Sequence, residues 1–124
     1  MFEKNYQISY LLDFYGNMLT DKQREAIDLY YNEDLSLAEI SEHFNITRQG
    51  VRDAIKRGED TLLELESKLG FAEKFDEHRK VFEEINNRAE IIRTSKSSLN
   101  FVRIIEENMS IIIEQIKSVM QDAE

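Results

Sequence analysis

Between Ser36 and Arg57 the chain reads SLAEISEHFNITRQGVRDAIKR, and this stretch limits the possible folds more tightly than any other. Ser36 followed by Glu39 is a capping box, in which the hydroxyl takes an orphan amide of a new helix and the carboxylate reaches back to the cap. Ile40 and Phe44 then share one face of that helix. Asn45 stands where the chain must reverse, and Asn is one of the few residues that accepts a left-handed backbone. Ile46 fills the angle, and the small Ser41 falls where two helices would cross closely. Thr47 caps a second helix whose Val51, Ala54 and Ile55 point inward. Two short helices at a steep angle around a tight turn make a helix-turn-helix, which offers the N-terminal side chains of its second helix to a nucleic-acid groove.

The outer face of that second helix supplies the candidate nucleic-acid-binding residues: Thr47, Arg48, Gln49, Arg52, Lys56 and Arg57. Arg48, Gln49 and Arg52 have the donors to read base edges or an RNA groove. Lys56 and Arg57 suit phosphates, and Thr47 places the helix N-terminus beside one. The same pattern also fits two ordinary amphipathic helices with a solvated basic face. Charge restrains the nucleic-acid reading, because neutralisation of phosphates by Lys and Arg supplies most nonspecific affinity. The chain carries a net charge of −9. Between Ile46 and Arg57, four cations face one Asp53, so the helix is a basic island in an acidic body. Binding to DNA or RNA is expected to be weak, salt-sensitive or assisted by a partner.

The rest of the chain reads as helices. Phe2 to about Tyr15 has helical apolar spacing, with Gly16 and Asn17 as its stop. Thr20 caps a helix over Asp21–Tyr31 whose inward face is Ala26, Ile27, Tyr30 and Tyr31. The aromatics Tyr10, Phe14, Tyr15, Tyr30 and Tyr31 are read as core with hydroxyls at the rim, a stacking platform for bases being the alternative. The second motif helix does not stop at Arg57: Val51, Ile55, Gly58, Leu62, Leu65 and Leu69 recur at fours and threes, a seam that Gly70 ends. Gly58 on that seam permits close approach of another helix. Phe75, His78, Phe82, Ile85, Ala89 and Ile92 form a further stripe, with His78 expected to be buried and hydrogen-bonded. After a polar hinge at Thr94–Ser98, capped by Ser97 or Ser98, the pattern resumes at Val102, Ile105, Met109, Ile112, Ile116 and Val119. Two such helices suggest a helical hairpin. The run Ile111-Ile112-Ile113 is too apolar for a solvated tail and points to a homodimer or interaction surface in the C-terminal helices. The expected architecture is all-α: a helix-turn-helix domain over residues 1–70 with a long recognition helix, and a C-terminal helical hairpin or dimerisation segment over 71–124.

Several chemistries lack their residues. Two histidines and no cysteine make a zinc site, a disulfide framework and any other metal centre unexpected. No glycine-rich phosphate loop or nucleophile elbow occurs, and acidic pairs such as Glu64/Glu66 and Glu106/Glu107 read as solvated helix faces, so no catalytic residue, cofactor or enzyme activity is expected. No apolar run approaches the ~18 residues of a membrane span, and MFEKNYQ lacks the apolar centre of a secretory signal, so a cytoplasmic protein without membrane insertion is expected.

Residues 19–57 resemble region four of the bacterial sigma factors, from Leu19-Thr20 opening a helix to the SLAEISEHFNITRQGVRDAI segment. A closer resemblance runs from Phe2 to about Gly70. LLDFYGNMLTDKQREAIDLYYNEDLSLAEISEHFNITRQGVRDAIKR is similar to the YlxM family of small bacterial helix-turn-helix proteins. That resemblance implies an all-helical, sigma-like domain with a variable helical tail. It also implies a regulatory link to the signal recognition particle pathway, with Ffh or other particle components as partners. The chain departs from the family pattern with Thr47 for Ser and Gly50 for Ala, and with Arg52 and Ala54 inside the recognition helix. Thr keeps the cap; Gly50 and Arg52 alter the groove-facing surface. The segment after about Phe82 is longer than the resemblance leads one to expect.

Overall fold

The computed structural model describes residues 4–122, and among them six α-helices and no strand. The start of the first expected helix, at Phe2, lies outside the described residues. By backbone contacts the chain divides into two units, Met1–Glu73 and Lys74–Glu124.

In the first unit, α1 (Gln7–Tyr15), α2 (Asp21–Tyr31), α3 (Leu37–Phe44) and α4 (Arg48–Leu69) surround one core. Ile8, Leu11 and Tyr15 of α1 follow the helical period and are buried, as are Ala26, Ile27, Tyr30 and Tyr31 of α2, the four residues expected there. Ile40 of α3 and Val51, Ile55 and Leu62 of α4 have no exposed surface. Each fully buried aliphatic side chain of this size contributes about 1.5–3 kcal/mol, which makes this seam the dominant stabilising feature of the unit. The seam of α4 is buried through Leu62, half-buried at Leu65 and open at Leu69. Gly70, with φ +65°, ends the helix in the left-handed region. Gly58 is where α2 crosses α4: a Cβ there would sit 2.5 Å from Ile27 Cδ1 and 3.4 Å from Gln23 Cβ.

Local signals set the helix starts. Thr20 Oγ1 accepts from the Gln23 amide at 3.2 Å, and Gln23 Oε1 accepts from the Thr20 amide at 3.2 Å, so α2 has a full capping box. Ser36 and Glu39 do the same for α3, at 3.1 and 3.2 Å. The stop after α1 differs from the expectation. Gly16 keeps a right-handed φ of −55° and begins a single 3-10 turn, Gly16–Met18, in place of a left-handed cap. Gly16 is buried beside Leu12 and Arg24, where a Cβ would make ordinary contacts, the nearest at 3.5 Å.

Two tyrosines join α4 to the starts of other helices. The Tyr15 hydroxyl donates to Glu66 Oε1 at 2.6 Å and accepts from the Phe71 amide at 3.1 Å. The Tyr31 hydroxyl donates to Glu59 Oε1 at 2.6 Å and accepts from the Asn5 amide at 3.1 Å. Glu66 also accepts from the amides of Ala72 and Glu73, at 3.1 and 3.0 Å, and so caps the first turn of α5 (Phe71–Thr94). Glu66 is therefore not a solvated surface carboxylate, contrary to the expectation for the Glu64/Glu66 pair. The aromatic set is core with rim hydroxyls at Tyr15, Tyr30 and Tyr31, while Tyr10 is partly exposed.

In the second unit, α5 turns back through residues 95–100 into α6 (Phe101–Asp122). Ser98 organises the turn: its Oγ accepts from the Asn100 amide at 3.1 Å. The helices run antiparallel, with Arg88 bonded to Asn108 Oδ1 at 3.4 Å and His78 to Asp122 Oδ2 at 3.2 Å. The inward face keeps part of the expected stripes: His78, Ile85 and Ile92 on α5, and Ile105, Ile112 and Val119 on α6. Val81, Ile85, Arg88 and Ile92 turn from solvent on α5, while Phe82 remains 54% exposed. On α6 the two buried residues are Asn108 and Ile112, and Ile111 and Ile113 on either side are exposed. Asn108 holds its place by donating to the Ile104 carbonyl at 2.8 Å. His78 has its hydrogen bond but is only half-buried. Arg88 and Asn108 occupy inward positions beside the expected Ala89 and Met109, which lie on the flank of the hairpin.

Candidate nucleic-acid interface

The helix-turn-helix is built by three residues in sequence. Asn45 adopts φ 54°, ψ 46°, and its left-handed turn lets the amide of Ile46 bond to the Ser41 carbonyl at 3.1 Å. Ile46 then packs, half-buried, against the core. Thr47 returns to extended backbone, and its Oγ1 accepts from the Gly50 amide at 3.0 Å, satisfying one of the four orphan donors of α4. A Cβ on Gly50 would lie 3.2 Å from that same Oγ1, so this position is snug around the cap. The His43 ring, at the end of α3, bonds to Glu25 of α2 at 2.9 Å, a tie that the spacing of the sequence did not reveal.

The structure places Thr47, Arg48, Gln49, Arg52, Lys56 and Arg57 at the exposed start of α4, but not as one patch. At about 100° per residue, Arg48, Arg52 and Lys56 form a slowly drifting stripe, with Gln49 beside it. Arg57 lies about half a turn from Arg48, on the other flank of the helix. Two carboxylates sit among these donors. Asp53 Oδ1 accepts from Gln49 Nε2 at 2.9 Å, and Asp60 pairs with Lys56 at 3.1 Å. Both Lys56 and Asp60 side chains are more than half exposed, and such surface pairs are worth only about 0–1 kcal/mol, so the pair yields readily to a competing anion. The arrangement offers planar, bidentate guanidinium donors near a helix N-terminus, which favours an anionic ligand there.

Among the described residues no group of three or more His, Cys, Asp or Glu is placed to hold a metal ion. No described helix is long and apolar enough to cross a membrane.

A family model described as "Putative helix-turn-helix protein, YlxM / p13 like" matches residues 2–102. The UPF0122 protein of Acetivibrio thermocellus is 44% identical over 115 residues, spanning 90% of this chain and 98% of that protein. That of Bacillus mycoides is 40% identical over 117 residues, 94% of this chain and 97% of the relative. That of Listeria welshimeri is 35% identical over 119 residues, 96% and 99% of the two chains. The chain belongs to the UPF0122 family of helix-turn-helix proteins. These three relatives cover 90–96% of the chain, so the segment after Phe82, expected to be long for the family, is of ordinary length among them.

Proposed function

We propose that this member of the UPF0122 family is a non-enzymatic, nucleic-acid-binding regulator acting in or near the signal recognition particle pathway. The observation that carries the reading is the stripe of Arg48, Arg52 and Lys56 exposed at the Thr47-capped start of α4, directly after the left-handed turn at Asn45. In this reading Arg48, Gln49 and Arg52 meet base edges, the Thr47 end of the helix and Lys56 meet phosphates, and Arg57 serves a phosphate on the far flank. Gln49 must exchange its bond to Asp53 for one to a base. The acidic body makes the complex weak or dependent on a partner. The pathway rests on the resemblance to the YlxM family, with the particle's RNA, genes for its components, or Ffh as targets.

A second reading has its own support: Asp53 and Asp60 engage two of the six candidate residues, and the chain is acidic overall. Here the helix-turn-helix frame is kept by an adaptor that binds protein and reads no bases. A pull-down from lysate with and without nuclease separates the two. Partners that vanish on nuclease treatment and with Arg48→Ala/Arg52→Ala support nucleic-acid binding. Partners retained under both conditions support the adaptor and contradict the first reading.

A further inference from the structure

The hairpin of α5 and α6 has one apolar and one polar face. On α6 five of the six large exposed apolar residues directly follow one turned inward, Ile111 being the exception: Val102 after Phe101, Met109 after Asn108, Ile113 after Ile112, Ile116 after Gln115, Met120 after Val119. On α5, Phe82 follows Val81 and Ala89 follows Arg88 in the same way. One residue is about 100° of rotation in a fixed sense, and two antiparallel helices rotated in the same sense from their shared interface present their stripes on the same side. The residues that precede the inward positions, on the opposite side, are largely polar: Lys80, Glu84 and Asn87 on α5, Glu107 and Glu114 on α6, with Ile91 and Ile111 the exceptions. This sidedness is not needed to close the hairpin.

We propose that this face is the homodimer interface, a second copy of the same hairpin closing a two-fold four-helix bundle. The five α6 residues and Phe82 are 42–68% exposed. At that exposure they leave on the order of 600 Å² of apolar surface per copy, and rim residues raise this toward the ~800 Å² per partner that a stable interface buries. That exposed area is at the upper end of the about 300–600 Å² that the largest apolar patch of a typical monomer covers, a size often tied to an interface. From Val102 to Met120 the stripe is about 27 Å long, at about 1.5 Å per residue, and two helices wide. A lone docked helix covers only the groove between α5 and α6, whereas a copy of the hairpin matches the face in both dimensions and closes by two-fold symmetry. The consequence, which rests on the nucleic-acid reading, is that two weak basic helices act on one ligand and gain by effective concentration.

Sedimentation equilibrium of the full chain, free of nucleic acid, tests the interface alone. The expected result is twice the chain mass of 14.7 kDa at micromolar concentration. Phe82→Glu/Ile116→Glu weakens self-association at least tenfold with helicity retained by circular dichroism, and Val102→Lys/Met120→Lys, at the ends of the stripe, does the same if the first variant loses helicity. Ile91→Glu/Ile111→Glu on the opposite side stays dimeric. A monomer at all concentrations, a helical partner taken up by a monomeric chain, or a dimer broken by Ile91→Glu/Ile111→Glu but not by the face variants overturns the proposal. None of these results bears on whether Arg48 and Arg52 bind nucleic acid.

Discussion

The Tyr15 hydroxyl and the Glu66 carboxylate meet at 2.6 Å, and the pair fixes where α5 begins. Each atom has a second duty: the hydroxyl takes the Phe71 amide, and the carboxylate takes those of Ala72 and Glu73. Tyr15→Phe removes the hydroxyl from both partners at a site 3% exposed. The expected loss is about 1–2 kcal/mol in chemical denaturation, the usual cost of leaving a part-buried amide and acceptor unpaired. A loss within error of zero would mean that water replaces the hydroxyl without cost.

The two tyrosine-bound carboxylates titrate in opposite senses. Burial works against ionised Glu66, but the Tyr15 hydroxyl and two amides outweigh it and hold the carboxyl below its ordinary value. Loss of solvent pushes Glu59 up, more than the Tyr31 hydroxyl and Lys56 pull it down. A depressed carboxyl stabilises the fold above its unfolded value and loses that contribution as pH falls through the folded one; a raised carboxyl stabilises below its unfolded value and loses the contribution as pH rises through the folded one. In thermal melts, Glu66→Gln therefore lies further below the wild type at pH 7 than in acid below the folded value, where the carboxyl is uncharged in the folded and unfolded chain alike. Glu59→Gln shows the reverse order, lying closer to the wild type at pH 7. Parallel pH profiles would contradict the assignment.

Gly58 and Ile27 are coupled by steric contact. An Ala Cβ at position 58 meets Ile27 Cδ1 at 2.5 Å, while the helix gains about 1 kcal/mol from replacing Gly. Gly58→Val adds further bulk and is expected to cost more than about 2 kcal/mol, in the range of overpacked cores. Ile27→Val deletes the Cδ1 methyl. The double variant Gly58→Ala/Ile27→Val is expected to be more stable than the two single changes sum to, by at least about 0.5 kcal/mol. Additivity would show that α2 simply moves away.

Asn45 carries the turn at φ 54°. Asn45→Gly should leave stability within about 0.5 kcal/mol, because Gly enters this region freely. Asn45→Ala should lose about 1–2 kcal/mol, the cost of a left-handed backbone with an unhelpful Cβ. Equal stability of the two variants would place the turn's specificity elsewhere.

These residues also show what the sequence could and could not tell. The caps at Thr20, Ser36 and Thr47, the left-handed Asn45 and the stop at Gly70 are local features, each decided within a few residues, and all were legible. Gly58 was legible as a close approach because it interrupts an apolar seam. Glu66 was not: its role depends on Tyr15 and on the start of α5, which are joined only by folding. The hairpin stripe was legible in part: Ile85, Ile92, Ile105, Ile112 and Val119 turn inward as their period implies, whereas Arg88 and Asn108 take inward positions that a count of apolar residues passes over. In the candidate interface, the type, exposure and helical spacing of each residue were readable, but not the capture of Gln49 by Asp53.

The central claim is that a specific stripe on α4, and not cationic charge in general, binds nucleic acid. Fluorescence anisotropy at low salt, with duplex DNA and structured RNA as probes, measures this with two charge-matched variants, Arg48→Ala/Arg52→Ala on α4 and Arg79→Ala/Arg93→Ala on α5. The first is expected to lose at least tenfold in affinity with the slope of log K against log salt little changed, because these two arginines meet bases and not phosphates; the second should match the wild type within twofold. Equal losses in both variants, or none in the first, would contradict the claim.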